Sequence, residues 1–255
     1  MRDKSDRIPG LTSRKFKFIG CEIIYREVCL LAARSPDVID VQFVRKGLHD
    51  LKTADMLGQL QSMIDAVGDG YEAILLGYAR CSNGTVGLTA RRTPLVIPRV
   101  HDCISFFFGG RSGYKEYFDA HPGTYFHTTG WIERGANYGG GQDGVMGQLG
   151  LDRSYAELVE KYGKEDADYI VQTMGDWTAN YKNLCYVQMG ACEETPFIEQ
   201  SRKVAQDKGW SHEVCQGRWT LLEKLFAGQW DDDFVIVQPG QSIVARNDEW
   251  VLDKK

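Results

Sequence analysis

The chain has 255 residues, 43% hydrophobic and 25% charged, with a formal net charge of −5, which fits a globular protein with a substantial core in one domain or two to three small ones. The negative balance and the lack of a Lys/Arg block argue against a dedicated nucleic-acid binder. No apolar run reaches the roughly 18 residues needed to span a bilayer, and Met1–Arg7 lacks the apolar core of a signal peptide, so the expected compartment is the cytoplasm.

Residues 16–20 read as a first strand. A helix is expected over 23–34, with Ile24, Val28 and Leu31 on one face. Val38–Val44 reads as the second strand, and a helix from about Leu51 to Val67 follows, with Leu57, Leu60, Ile64 and Val67 in register. Gly68-Asp69-Gly70 ends it. These elements make a first α/β unit, residues 1–70.

The second unit, 71–150, opens with the apolar run Ala73–Gly77 and the turn-rich loop Cys81-Ser82-Asn83-Gly84-Thr85. It continues through a strand Leu95–Arg99, helices at Phe106–Phe108 and Tyr114–Phe118, and a strand Thr124–His127. Eight glycines then fall between Gly130 and Gly150, an expected ordered lid, because long structureless loops in compact domains are usually functional or disordered.

The third unit, 151–255, begins with two polar helices near Tyr155–Tyr162 and Glu165–Met174. A strand Leu184–Met189 leads to Thr195-Pro196, a helix start with threonine at the N-cap and proline at the first position. Gly209 stops that helix near Lys208. A strand His212–Cys215, a helix Trp219–Phe226, strands Phe234–Val237 and Ser242–Ala245, and a polar tail complete the chain. The alternation gives an α/β fold: three β-α-β-type units with mostly parallel strands, in a pseudo-threefold arrangement around a central cleft.

Cys21, Cys81 and Cys192 each follow one of the strand-like runs that open the three units. In open α/β folds ligands bind beyond the carboxyl ends of the strands, and thiolates are the ligands of zinc and iron–sulfur clusters. No C-x-x-C pair occurs among the seven cysteines, so the fold would have to assemble the site. Three thiolates leave a position open for substrate; a fourth from Cys103 would close it. A buried structural role is the ordinary reading of any single cysteine, and it is the one taken for Cys29, Cys185 and Cys215.

His101 and Cys103 flank Asp102 after the strand Leu95–Arg99. An imidazole and a thiol two residues apart can serve one site as base and nucleophile, or as ligands. Asp102 can instead cap the next helix. Glu22, Glu193 and Glu194 directly follow ligand candidates; Glu22 is the acid–base candidate, and a helix N-terminus is the commoner place for such residues. Arg80, Asn83, Gly84 and Thr85 can present cationic and N–H groups to a bound ligand, although the loop is neither a Walker A nor a Rossmann fingerprint. Trp131 can stack on a planar ligand, with core packing as the alternative.

Gly77-Tyr78 with Cys81, the Asn83–Gly87 loop, Pro98–Cys103 with its His-Asp-Cys, and Pro122–Tyr125 leading to Gly130-Trp131 carry a resemblance. So do Gly20-Cys21-Glu22, Trp230–Phe234 and Pro239-Gly240-Gln241. Together they resemble a family catalogued only as a domain of unknown function, DUF1638, over nearly the whole chain. Its members are often encoded beside corrinoid-dependent methyltransferases for methylamines. The resemblance implies a place in one-carbon metabolism and carries no catalytic assignment. The three-unit layout is similar, at fold level and without sequence match, to quinolinate synthase, in which three α/β lobes each give one cysteine to an iron–sulfur cluster.

The reading is therefore a metal-dependent protein, zinc or iron–sulfur, acting as an enzyme on a small polar ligand such as a methylated amine. Cys21, Cys81, Cys192 and Cys103 are its metal ligands and His101, Cys103 and Glu22 its catalytic groups. Two alternatives stand beside it. One is an accessory protein that binds a corrinoid protein or methyltransferase, with corrinoid reached through the partner. The other is a metal-free enzyme using Cys103 with His101.

Overall fold

The computed structural model describes residues 13–46, 53–81, 83–134, 159–160, 163–168 and 180–255. In chain order its elements are β1 (Lys15–Cys21), a 3-10 turn (Glu22–Ile24), α1 (Tyr25–Arg34), β2 (Val38–Val44), α2 (Thr53–Asp65), β3 (Ala73–Gly77) and β4 (Leu95–Pro98). Then come α3 (Ile104–Phe107), α4 (Arg111–Ala120), β5 (Thr124–His127), α5 (Thr129–Glu133), β6 (Asn183–Gln188) and α6 (Thr195–Lys208). The described chain ends with β7 (Ser211–Gln216), α7 (Thr220–Ala227), β8 (Phe234–Val237), β9 (Ile243–Ala245) and β10 (Leu252–Lys254).

The expected α/β fold with mostly parallel strands is present. Five strands form a sheet in the order β2-β1-β3-β4-β8, parallel except for the β4–β8 pair. β3 and β4 are buried at every position, which is why their sequences are continuous apolar runs rather than alternations. β2 lies at the edge and is half exposed along its length. A second sheet, β5-β6-β7, is wholly parallel, and β9-β10 form a small antiparallel pair.

The strands are grouped differently from three like units. The strands of 1–70 and the first two of 71–150 share one sheet. Thr124–His127 leaves its expected unit to pair with β6, and Phe234–Val237 leaves the third unit to cover β4. A fully apolar β8 against a fully apolar β4 buries both. The hydrophobic pattern marks such strands but not their partners. One continuous core runs from Phe16, Phe18 and Leu75 through Phe106 and Phe108 to Phe126, Cys185 and Val187, so the two sheets share their interior.

The sheets meet where α5 approaches the 3-10 turn. A Cβ at Gly130 would lie 1.8 Å from the carbonyl oxygen of Ile23. At the ends of β1 and β3, Gly20 pairs with Gly77, and the Phe18 ring lies over both, 2.4 and 2.2 Å from where their Cβ atoms would be. The glycines give the ring its seat and leave Cys21 and Tyr78 at the sheet's carboxyl edge. The expected lid at 130–150 begins inside α5, and beyond residue 134 it lies outside the described residues, as do most of the two polar helices of 151–179. Among the described residues no helix is long and apolar enough to cross a membrane.

Candidate functional site

The backbone beyond β3 and β4 continues their pairing. The Arg80 N–H donates to Val100 O at 2.9 Å, and the Cys81 N–H to His101 O at 3.2 Å. This ladder brings Cys81 alongside the His101–Cys103 segment. Cys81 sits at φ 45° and Asn83 at φ 70°, left-handed conformations that bend the loop. Cys81 O accepts from the Gly84 N–H at 2.9 Å, and a Cβ at Gly84 would strike Met56 Sδ at 2.2 Å.

The expected ligand-presenting groups of this loop are spent on its own structure. Arg80 donates from Nε to Asn83 Oδ1 at 2.6 Å and from Nη1 to Arg246 O at 3.1 Å. Thr85 is fully buried, and its hydroxyl donates to Ala79 O at 3.0 Å. Asp102 Oδ1 accepts from the Ser105 N–H at 3.2 Å and the Ser105 hydroxyl at 3.0 Å, so it caps the start of α3. Glu22 accepts from the Lys46 N–H at 2.8 Å and has Arg134 at 3.9 Å. It anchors the chain after β2.

A cavity of about 250 Å³ opens at this edge, walled by Cys21, Tyr78, Cys81, His101, Cys103 and Trp131. Cys21 ends β1, Tyr78 and Cys81 follow β3, His101 and Cys103 follow β4, and Trp131 lies in α5. The structure brings Cys103, rather than Cys192, to Cys21 and Cys81. Trp131 is set by α5, whose N-cap Thr128 accepts from the Trp131 N–H at 3.1 Å, and the Lys46 ammonium lies 4.0 Å from its ring centroid.

The three thiols are within electrostatic reach of one another. Burial pushes Cys81 up to about 12, with Cys21 adding to the shift. Burial first, then Cys81 and Cys21, hold Cys103 well above the ordinary thiol range. Tyr78 is raised too, by burial and then by Cys21 and Cys81. Its hydroxyl is buried and makes no hydrogen bond among the described residues. An unpaired buried polar group costs about 1–3 kcal/mol. Sequence reasoning gave Tyr78 no role; only its place after Gly77 at a strand end pointed to it.

His101 is exposed and also walls a larger cavity of about 590 Å³, with Arg111, Tyr114, Phe118 and Trp250. The guanidinium of Arg111 stacks on Trp250 at 4.6 Å and donates to Glu249 O at 2.6 Å. The imidazole of His101 thus stands between a small thiol-lined compartment and a larger, aromatic one.

Cys192 stands in a different setting, near Arg26, Glu194, Glu133 and Glu27; burial raises its thiol, with Arg26 opposing. Glu27 is 1% exposed, and among the described residues neither carboxyl oxygen has a hydrogen-bond partner. Burial, with Glu194 and Glu133 adding, lifts it to about 7. Glu194 accepts through Oε1 from the Gly190 N–H at 3.1 Å and the Thr129 hydroxyl at 3.4 Å, while its Oε2 is unpartnered. Arg26 donates from Nε and Nη2 to Glu133 Oε2, at 2.9 and 2.7 Å. The sequence signal for this cluster is Glu27 itself, a carboxyl within the Ile24–Val28–Leu31 stripe.

All seven cysteines are thiols outside disulfides. Among the described residues no group of three or more His, Cys, Asp and Glu side chains has the arrangement of a metal-ion site. A family model described as "Protein of unknown function (DUF1638)" matches residues 43–226. No curated protein and no solved structure matches the chain.

Proposed function

The chain belongs to the DUF1638 family of proteins of unknown function, and we propose from its own geometry that it is a metal-dependent enzyme whose centre is the Cys21–Cys81–Cys103 pocket. The observation that carries the reading is the convergence of three thiols from three strand ends on one cavity, which Tyr78 also walls. Soft sulfur donors suit zinc or an iron–sulfur cluster. The thiols are not drawn together around a single ion. Zinc and an iron–sulfur cluster both take such donors, and metal analysis separates them.

Cys21, Cys81 and Cys103 would hold the metal centre. When bound it supplies an electron-transferring or Lewis-acidic centre, and its positive charge reverses the local cost of ionising the thiols. The remaining chemistry belongs to the chain. The Tyr78 ring walls the cavity beside the thiols. His101, exposed and without a hydrogen bond on its ring among the described residues, takes up or releases a proton at the mouth. The 590 Å³ cavity beyond it receives the body of the organic ligand. The sequence resemblance implies a ligand of one-carbon metabolism, with methylated amines the first class to try.

The metal-free alternative, Cys103 as nucleophile with His101 as base, is opposed by the raised Cys103 thiol, since the thiolate is the reactive form. The accessory alternative, with corrinoid held by a partner, is tested by pull-down with corrinoid proteins. The deciding experiment is purification without oxygen, a visible absorption spectrum, and iron and zinc per chain for wild type, Cys81→Ser and Cys192→Ser. Folded Cys81→Ser is expected to lose most of its metal and Cys192→Ser to keep it. Equal metal in wild type and folded Cys81→Ser would remove the proposal.

A further inference from the structure

The two cysteines read from the sequence as structural packing, Cys185 and Cys215, lie on adjacent parallel strands. The register pairs Cys185 with Glu213 and Val187 with Cys215. Residues 185, 213 and 215 therefore point to the same face of the sheet. The two side chains lean together until their sulfurs are 2.9 Å apart in a hydrogen bond. Tyr117 packs against the same face, and its hydroxyl donates to the Glu213 carboxylate. We infer that Cys185 and Cys215 form a dithiol–disulfide couple, a modification site in the small sheet that is separate from the thiol pocket.

Geometry and access both favour the reaction. A disulfide needs sulfurs about 2.05 Å apart, so the pair must close by less than an ångström. β7 is the outer strand of its sheet and can move without breaking a further ladder. Cys215 is partly exposed, whereas Cys185 is fully buried. The two sulfurs share a charge between them: the neighbouring Cys215 holds the Cys185 thiol below its ordinary range against burial, and Cys185 in turn raises Cys215. Cys215 is thus the sulfur a reagent reaches, and Cys185 the one equipped to resolve the product.

With a low-molecular-weight disulfide as oxidant, Cys215 passes its proton to solvent and its sulfur attacks one sulfur of the reagent. The reagent's S–S bond breaks, a mixed disulfide forms, and one thiolate leaves. The Cys185 thiolate then attacks Cys215 Sγ, the mixed disulfide breaks, and the second thiolate leaves. Two protein thiols are oxidised, one reagent disulfide is reduced, and the two protons end on two reagent thiols. The new bond closes a loop across the 30-residue separation of the pair, and that loop carries Cys192, Glu194 and α6.

The test treats reduced, folded full-length protein with oxidised glutathione, blocks remaining thiols with iodoacetamide, and maps the peptides by mass spectrometry. A Cys185–Cys215 link should form before any other and return to thiols with dithiothreitol. Cys185→Ala, checked for folding by circular dichroism, should instead stop at a glutathione adduct on Cys215, because nothing resolves it. No link, or links only among other cysteines, would overturn the inference. So would a wild-type protein that stops at the adduct as the variant does. The result does not depend on metal in the other pocket, so it stands or falls apart from the proposed function.

Discussion

The two parallel sheets carry different chemistry at their carboxyl edges. The five-stranded sheet gathers thiols, Cys21, Cys81 and Cys103. Beyond the three-stranded sheet lies a group of carboxyls, Glu27, Glu133 and Glu194, with Arg26 and Cys192 among them. Both places are buried, but burial does opposite work in them. A neutral thiol is nearly apolar, so burying three costs little, and burial raises Cys81 and Cys103. A carboxylate resists burial, so Glu27 keeps its proton up to about pH 7 and Glu133 is neutralised by Arg26. On the proposed function the thiol edge would take a soft cation, while the carboxyl edge takes up a proton at Glu27.

The join between the two edges is the largest point of failure. At Gly130 an added methyl group would meet backbone, the Ile23 carbonyl at 1.8 Å, which cannot swing aside as a side chain could. Gly130→Ala should therefore lower stability by about 3 kcal/mol or more, at or beyond the upper end of ordinary overpacking. Urea unfolding reads this as a fall in midpoint with an unchanged slope. A wild-type midpoint would mean the two edges are not locked together through this contact.

The carboxyl edge is separated from the thiol edge by pH. The folded-state pKa of Glu27 is raised, so its contribution to stability is fully present below about 4.5, its ordinary value, and is lost as pH rises through about 7. Glu27→Gln removes the charge and keeps the shape. The variant should match wild type near pH 4.5 and exceed it above pH 7 by up to roughly 3 kcal/mol, from 1.36 kcal/mol per pKa unit. Parallel unfolding curves for the two proteins across this range would show that Glu27 gains a compensating partner when ionised. His127 works in the other sense. It is lowered to about 4 by burial, with Lys46 adding, so its contribution is present above about 6.5 and lost as pH falls through about 4.

Much of this contrast was legible in the sequence, and the rest was hidden for identifiable reasons. The strands Val38–Val44, Ala73–Gly77 and Thr124–His127 have the expected bounds, and the helix Thr195–Lys208 stops at Gly209 as expected but starts one residue early, with Glu194 rather than Thr195 at its N-cap, because apolar runs and stops are local signals. Cys21, Cys81 and Cys103 were legible as strand-end thiols for the same reason. Which thiol joins which was not, since it depends on strand order. β8 and β5 take partners that no periodicity specifies. β10 was read as polar tail because a three-residue strand, Leu252–Lys254, offers a single apolar position. Arg80, Asn83 and Thr85 looked like ligand-presenting groups because a side chain that holds its own loop has the same composition as one that holds a ligand.

The smallest effect bears most directly on the thiol edge. Tyr78 contributes a buried hydroxyl with no hydrogen-bond partner among the described residues, and its ring walls the cavity shared with Cys21 and Cys81. Phenylalanine keeps the ring and removes that liability. In metal-free protein Tyr78→Phe should raise stability by about 1 kcal/mol, the low end of the penalty for an unsatisfied buried donor, a shift of a few degrees or less in Tm for a chain of this size. If the hydroxyl is there to meet a ligand, the same variant should bind metal normally yet turn over or bind organic ligand more weakly. The two readouts together carry the test. A destabilised Tyr78→Phe would mean the hydroxyl already has a partner in the folded protein.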